Sequence, residues 1–62
     1  MKMIKHYLFE DNDSGERFFV EASTMGEALE IIDGGTDFDS DDCDFVEKMT
    51  PEESEWYPYD VY

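Results

Sequence analysis

The sequence predicts an α+β fold: a small ββαβ domain in which an antiparallel hairpin packs on one helix, followed by a third strand, a short C-terminal helical turn and an aromatic tail. Three observations carry this. The segments MIKHYLFE (3–10) and ERFFVEA (16–22), rich in aromatic and β-branched residues, flank the turn DNDSG. An apolar stripe follows at helical spacing, with Met25, Ala28, Leu29 and Ile32 at i, i+3, i+4 and i+7. Beyond a Gly-Gly break, CDFVEKM (43–49) has the length and residue types of another strand.

In the hairpin, Gly15 is available for a positive φ and the loop is longer than the two-residue minimum. Alternation puts Phe18, Val20 and Ala22 on one face of the second strand and Arg17, Phe19 and Glu21 on the other. The first strand offers Ile4, His6 and Leu8 on one face, and Met3, Lys5, Tyr7 and Phe9 on the other. Neither face is cleanly polar. Phe19 with Tyr7 and Phe9 is expected to form a second apolar patch opposite the core, and these three residues are the candidate contact of a homodimer.

For the helix, Thr24 and Glu27 fit a T-x-x-E capping box, and Gly34 is placed at C′ of a helix ending near Asp33. Glu27 and Glu30 then face outward. TDFDSDDCD reads as a polar loop. In the third strand Phe45, Glu47 and Met49 alternate with Val46 and Lys48, the pattern of a half-buried strand or of an edge guarded by charge. Thr50 as N-cap, Pro51 at N1 and Glu53 at N3 start a second, short helix, and Pro58 keeps Tyr57 extended so that WYPYDVY cannot continue it.

At 62 residues the whole chain, 1–62, reads as one domain near the size where a core alone is marginal. Cys43 is the only cysteine, so no intrachain disulfide supplements that core, and a lone thiol fits a reducing compartment. The opening MKMIKHYLFEDND has no apolar run of signal-peptide length and no stretch approaches a membrane span, so a cytoplasmic location and no membrane partner are expected. Hydrophobic residues make up 40% and aromatics 16% of the chain, well above the content of a disordered acidic tail. Eighteen Asp and Glu against four Lys and Arg give a formal charge of -14. That balance opposes direct binding of nucleic acid or an anionic membrane and favours a basic partner.

The densest run, DFDSDDCDFVE, holds Asp37, Asp39, Asp41, Asp42, Asp44 and Glu47. Its D-x-D-x-D start matches an EF-hand loop, but the sixth position, which requires Gly, is Asp42 and the twelfth, which requires a bidentate Glu, is Lys48. His6 and Cys43 have no zinc spacing, so neither metal nor cofactor is expected. Catalytic signals are equally poor: acid pairs are too abundant to mean anything, Cys43 sits between Asp42 and Asp44, which disfavour its thiolate, and no P-loop or nucleophile elbow occurs. A non-enzymatic protein is expected.

Magnitudes bear on what the acids could imitate. A compact chain of this length has a diameter of about 27 Å, and duplex DNA of that length carries around 16 charges, comparable to -14. Residues 37–47 fully extended, however, supply one carboxylate per roughly 6 Å. They match a duplex only if Glu27, Glu30, Glu52, Glu53 and Glu55 share their surface.

In its short length, its -14 charge, the DFDSDDCD run and the interleaved Phe38, Phe45, Trp56, Tyr57 and Tyr59, the chain resembles the small acidic proteins of bacteriophages that occupy nucleic-acid channels of host enzymes, the DNA mimics among anti-restriction and anti-CRISPR inhibitors. The resemblance is one of composition. It implies an inhibitor of a basic nucleic-acid-binding protein (a nuclease, a defence complex or a polymerase), acting in the host cytoplasm if phage-encoded. Those eleven acids steer, while Trp56, Tyr57 and Tyr59 anchor. A small homodimeric structural or regulatory module, acidic for solubility, is the alternative; an antitoxin-like inhibitor of one basic nuclease lies close to the mimic.

Overall fold

A computed structural model describes residues 3–62, so Lys2, one of the four basic residues, lies outside the described residues. The element order is β1 (Lys5–Asp11), β2 (Arg17–Ala22), α1 (Met25–Gly35), a 3₁₀ turn (Ser40–Asp42), β3 (Cys43–Met49) and α2 (Pro51–Ser54). The strands form one antiparallel sheet in the order β2-β1-β3, which makes the ββαβ reading correct and puts β1 in the centre.

The hairpin closes through backbone bonds from Asp11 N to Glu16 O and from Gly15 N to Asp11 O. Asp11 Oδ2 accepts from both the N–H and the hydroxyl of Ser14, and Gly15 takes φ +76°, where a Cβ would be strained. This turn fixes a register with Leu8 opposite Phe19, Phe9 opposite Phe18 and Tyr7 opposite Val20. The register corrects the apolar patch expected from the sequence. Tyr7 and Phe9 share the α1 face with Phe18 and Val20, while Phe19 lies on the reverse face with Leu8 and Met49. All three residues named for a homodimer contact are buried within the chain, on two different faces, so they form no common exposed patch.

Helix α1 lays Ala28 and Ile32, with the partly buried Met25 and Leu29, against Tyr7, Phe9, Phe18, Val20 and Ala22. Thr24 caps it by accepting from Glu27 N, but the Glu27 carboxylate accepts from the Ser23 hydroxyl instead of completing the box. The helix also runs through both glycines. Its end is set not by a left-handed Gly34 but by Thr36, whose hydroxyl donates to Ile32 O at 2.6 Å and satisfies a carbonyl the helix leaves free. In β3 the register slips between Leu8, opposite Glu47, and Phe9, opposite Phe45. Val46 is the extra residue of this bulge, and the slip puts Phe45 against Tyr7 and Phe9 while Met49 packs on the reverse face. Simple alternation had placed Phe45 and Met49 together.

The reverse face is covered by the chain's own C-terminal segment. Helix α2 has the full capping box expected, with Thr50 and Glu53 bonded reciprocally. From there Tyr57 and Tyr59 pack their rings on Phe19, at 6.0 and 5.9 Å between centroids. The last residues run parallel to β2: Phe19 N donates to Asp60 O, Tyr62 N to Phe19 O and Glu21 N to Tyr62 O, each at 2.8 Å. The result is three layers, α1, the sheet, and α2 with the tail, with a radius of gyration of 10.7 Å and extents of 33 × 23 × 16 Å.

Candidate functional site: an acidic end of the sheet

Because β1 is central, the β1–β2 turn lies beside the start of β3, and one backbone bond from Asn12 N to Asp42 O joins the two loops. The acids of DFDSDDCD therefore meet a second set that sequence order conceals. Asp42 has its carboxyl pushed above the usual range, first by Asp13, then by loss of hydration, Asp39, Asp11 and Asp41. Asp13 lies 29 positions away in sequence (42 − 13) yet dominates. The Cys43 thiol is likewise pushed up, by burial first and then by Asp11, Asp42, Asp39 and Asp44, so it is a poor nucleophile.

An open groove next to this cluster is lined by Asp11, Ser14, Glu16, Asp37, Phe38 and Tyr62 together with residues 34–36. It adds Asp37 and Glu16 to the same end, bringing its carboxylates to eight: Asp11, Asp13, Glu16, Asp37, Asp39, Asp41, Asp42 and Asp44. Arg17, next in sequence to Glu16, is held by Glu10 at 3.1 Å, a pairing that keeps the guanidinium pKa above its ordinary value. The loop is not slack. Asp33, at the end of α1, accepts from the Ser40 N–H and hydroxyl at 2.8 and 2.9 Å, which fixes the 3₁₀ turn and lowers the Asp33 pKa.

The other acids named from the sequence are distributed elsewhere. Glu53 on α2 sits by Lys5, at the opposite end of β1, about 20 Å along a seven-residue strand, with Glu52 on the same short helix and Glu55 at its end. Glu53 is committed to capping: its carboxylate accepts from the Thr50 N–H and hydroxyl, which lowers its pKa. Glu27 and Glu30 lie on α1, on the other side of the sheet from α2, and Glu47 is exposed on β3. Those three groups do not share one surface with the loop acids.

The aromatics divide in the same way. Phe38 stacks on Phe18 at 4.4 Å between centroids and is part of the core, and Tyr59 covers Leu8, Phe19 and Met49. Trp56 remains 87% exposed and Tyr57 42%, both at the α2 end, away from the acidic loops.

One arrangement has no signal in the sequence. His6 Nδ1 lies 2.5 Å from Ser54 Oγ and its Nε2 3.2 Å from Glu21 Oε2. The residue types are those of a hydrolytic relay, but Ser54 is 5% exposed, its hydroxyl donates to Pro51 O, and it lines neither the groove at the acidic end nor the one beside Arg17 and Tyr59. The imidazole acts as a bolt tying α2 to β1 and β2. The hairpin register puts His6 opposite Glu21, and Ser54 joins them from 48 positions along the chain.

Among the described residues no three His, Cys, Asp or Glu side chains converge as a metal cage, and no helix is long and apolar enough to cross a membrane. Comparison with known proteins finds no matching family model, curated protein or solved structure.

Proposed function

We propose that the protein is a non-enzymatic inhibitor that docks its acidic end on a basic nucleic-acid-binding surface of another protein and excludes the nucleic acid. The observation that supports this most is the convergence of two loops on one end of the sheet, where eight carboxylates crowd without a free described cation. A domain of this size holds roughly 3–9 kcal/mol of stability, so retaining a self-repelling cluster is costly, and a cationic partner relieves it. A duplex as long as the 33 Å axis would carry about 19 charges, so eight carboxylates at one end form a local acidic patch and do not reproduce a duplex along the whole domain. The footprint is narrower than the eleven acids suggested: Asp11, Asp13 and Glu16 replace Glu27, Glu30, Glu47, Glu52, Glu53 and Glu55. Trp56 and Tyr57 fall outside it.

The test is capture of binding proteins from lysate on the immobilised chain at low salt, followed by elution with duplex DNA. Captured nucleic-acid-binding proteins should be released by the duplex and by moderate salt. The fourfold variant Asp39→Asn, Asp41→Asn, Asp42→Asn, Asp44→Asn should associate with the purified partner 10- to 1,000-fold more slowly, on the order of the steering effect, while staying folded by circular dichroism. A partner that excess duplex leaves in place, or that binds the variant as fast as the parent, overturns the proposal.

A further inference from the structure

The two outer edges of the sheet are treated differently. On β2 the tail supplies three backbone bonds and closes the edge. On β3, residues 44–49 form no described backbone hydrogen bond outside the ladder to β1, so alternate N–H and C=O groups face outward. This open strand also carries two large apolar side chains in sequence, Phe45 at 46% and Val46 at 41% exposure. It begins at the acidic end, and Asp44 and Glu47 are exposed along it.

We propose that the β3 edge takes up an extended, basic segment of the partner as an added strand, a mode that rests on the acidic-docking reading and specifies how that contact is made. Main-chain bonds to β3 supply length-wise affinity, Phe45 and Val46 receive apolar side chains, and Lys or Arg at alternating positions reach Asp44, Glu47 and the loop carboxylates. Charge decides against a second copy as the occupant. Each chain carries -14 and a dimer would carry twice that, while the edge itself offers one cation, Lys48, against Asp44 and Glu47. The bulge at Val46 and the charges on β3 are the usual guards against indiscriminate edge pairing, and a cationic strand is the kind they admit.

The probes are three capped peptides: an eight-residue alternating Lys-Val peptide, its fully backbone N-methylated analogue, and a Lys-Ser peptide of equal charge. Amide shifts of the labelled protein are followed during titration. The Lys-Val peptide should bind at least tenfold more tightly than either control, move amides of residues 43–49, and slow their hydrogen exchange. Phe45→Ser, with its folding checked by circular dichroism, should lose most of that preference while still binding the Lys-Ser peptide. If all three peptides bind equally and shift only residues 11–16 and 37–42, strand addition is wrong and the acidic-docking reading stands. If none binds at low salt, the acidic-docking reading itself fails. Protection of residues 44–49 with a doubled mass in peptide-free solution would overturn the proposal in favour of self-pairing.

Discussion

The β2 and β3 edges start from the same problem, a row of backbone groups at the side of a small sheet, and reach opposite solutions. At β2 the chain spends its last residues on closure: Tyr62 N and O bond to Phe19 and Glu21, and Tyr57 and Tyr59 roof the Phe19 ring, which is fully buried. At β3 no equivalent cover exists among the described residues, and Phe45 and Val46 stay half exposed. Aromatic residues that look alike in the sequence therefore do different jobs. The closed side interlocks Phe19 with the tail, whereas the open edge leaves its outward backbone groups beside the accessible Phe45 and Val46.

That asymmetry is open to attack from either side. Phe19→Ala should be the most damaging change, costing about 3–5 kcal/mol, comparable to the whole stability of the domain, and thermal denaturation should find it largely unfolded near 37 °C. Deleting residues 60–62 removes the three edge bonds, at about 0.5–1.5 kcal/mol each, and opens the second edge. A lowered urea midpoint should be accompanied by concentration-dependent association in sedimentation. Thr50→Ala removes the cap that aims the C-terminal segment and should cost about 1 kcal/mol.

The smallest effect has the opposite sign. Asp42→Asn, on the open side, should raise the melting temperature at neutral pH because it removes a carboxylate its neighbours disfavour. Asp42 has a folded pKa above its unfolded value, so its unfavourable contribution is present above that folded pKa and fades as pH falls through it; the advantage of the Asn variant should shrink as the solution is acidified. Glu53 and Asp33 run the other way. Their pKa values are depressed by hydrogen bonds from Thr50 and Ser40, so their stabilisation is present above the unfolded carboxylate value and is lost as pH falls through the depressed one. Melting curves of the three single Asn or Gln variants across pH 2–7 should separate these signs. A destabilised Asp42→Asn at neutral pH would mean that the acidic end is not strained.

Much of the fold was legible because local chemistry dictates it. The Met25, Ala28, Leu29, Ile32 stripe, the Thr50–Glu53 box and the DNDSG turn each place their element within a residue or two. Faces were less legible. Parity along β3 failed at Val46 because a bulge inserts one residue and nothing in CDFVEKM marks it. The patch of Tyr7, Phe9 and Phe19 failed because the hairpin register, not composition, decides which rings are neighbours. For the site, DFDSDDCD was visible as a run, but Asp11, Asp13 and Glu16 joined it only through the central position of β1.

By itself the sequence determined the class of fold and the net charge, because propensity, capping and net charge are local or additive quantities. Only the tertiary structure decided which acids stand together, which aromatics are absorbed by the core, and which edge of the sheet stays open. Those are consequences of strand order and register, set by the simultaneous burial of Phe9, Phe18, Phe19, Val20 and Ile32 from elements far apart in the chain.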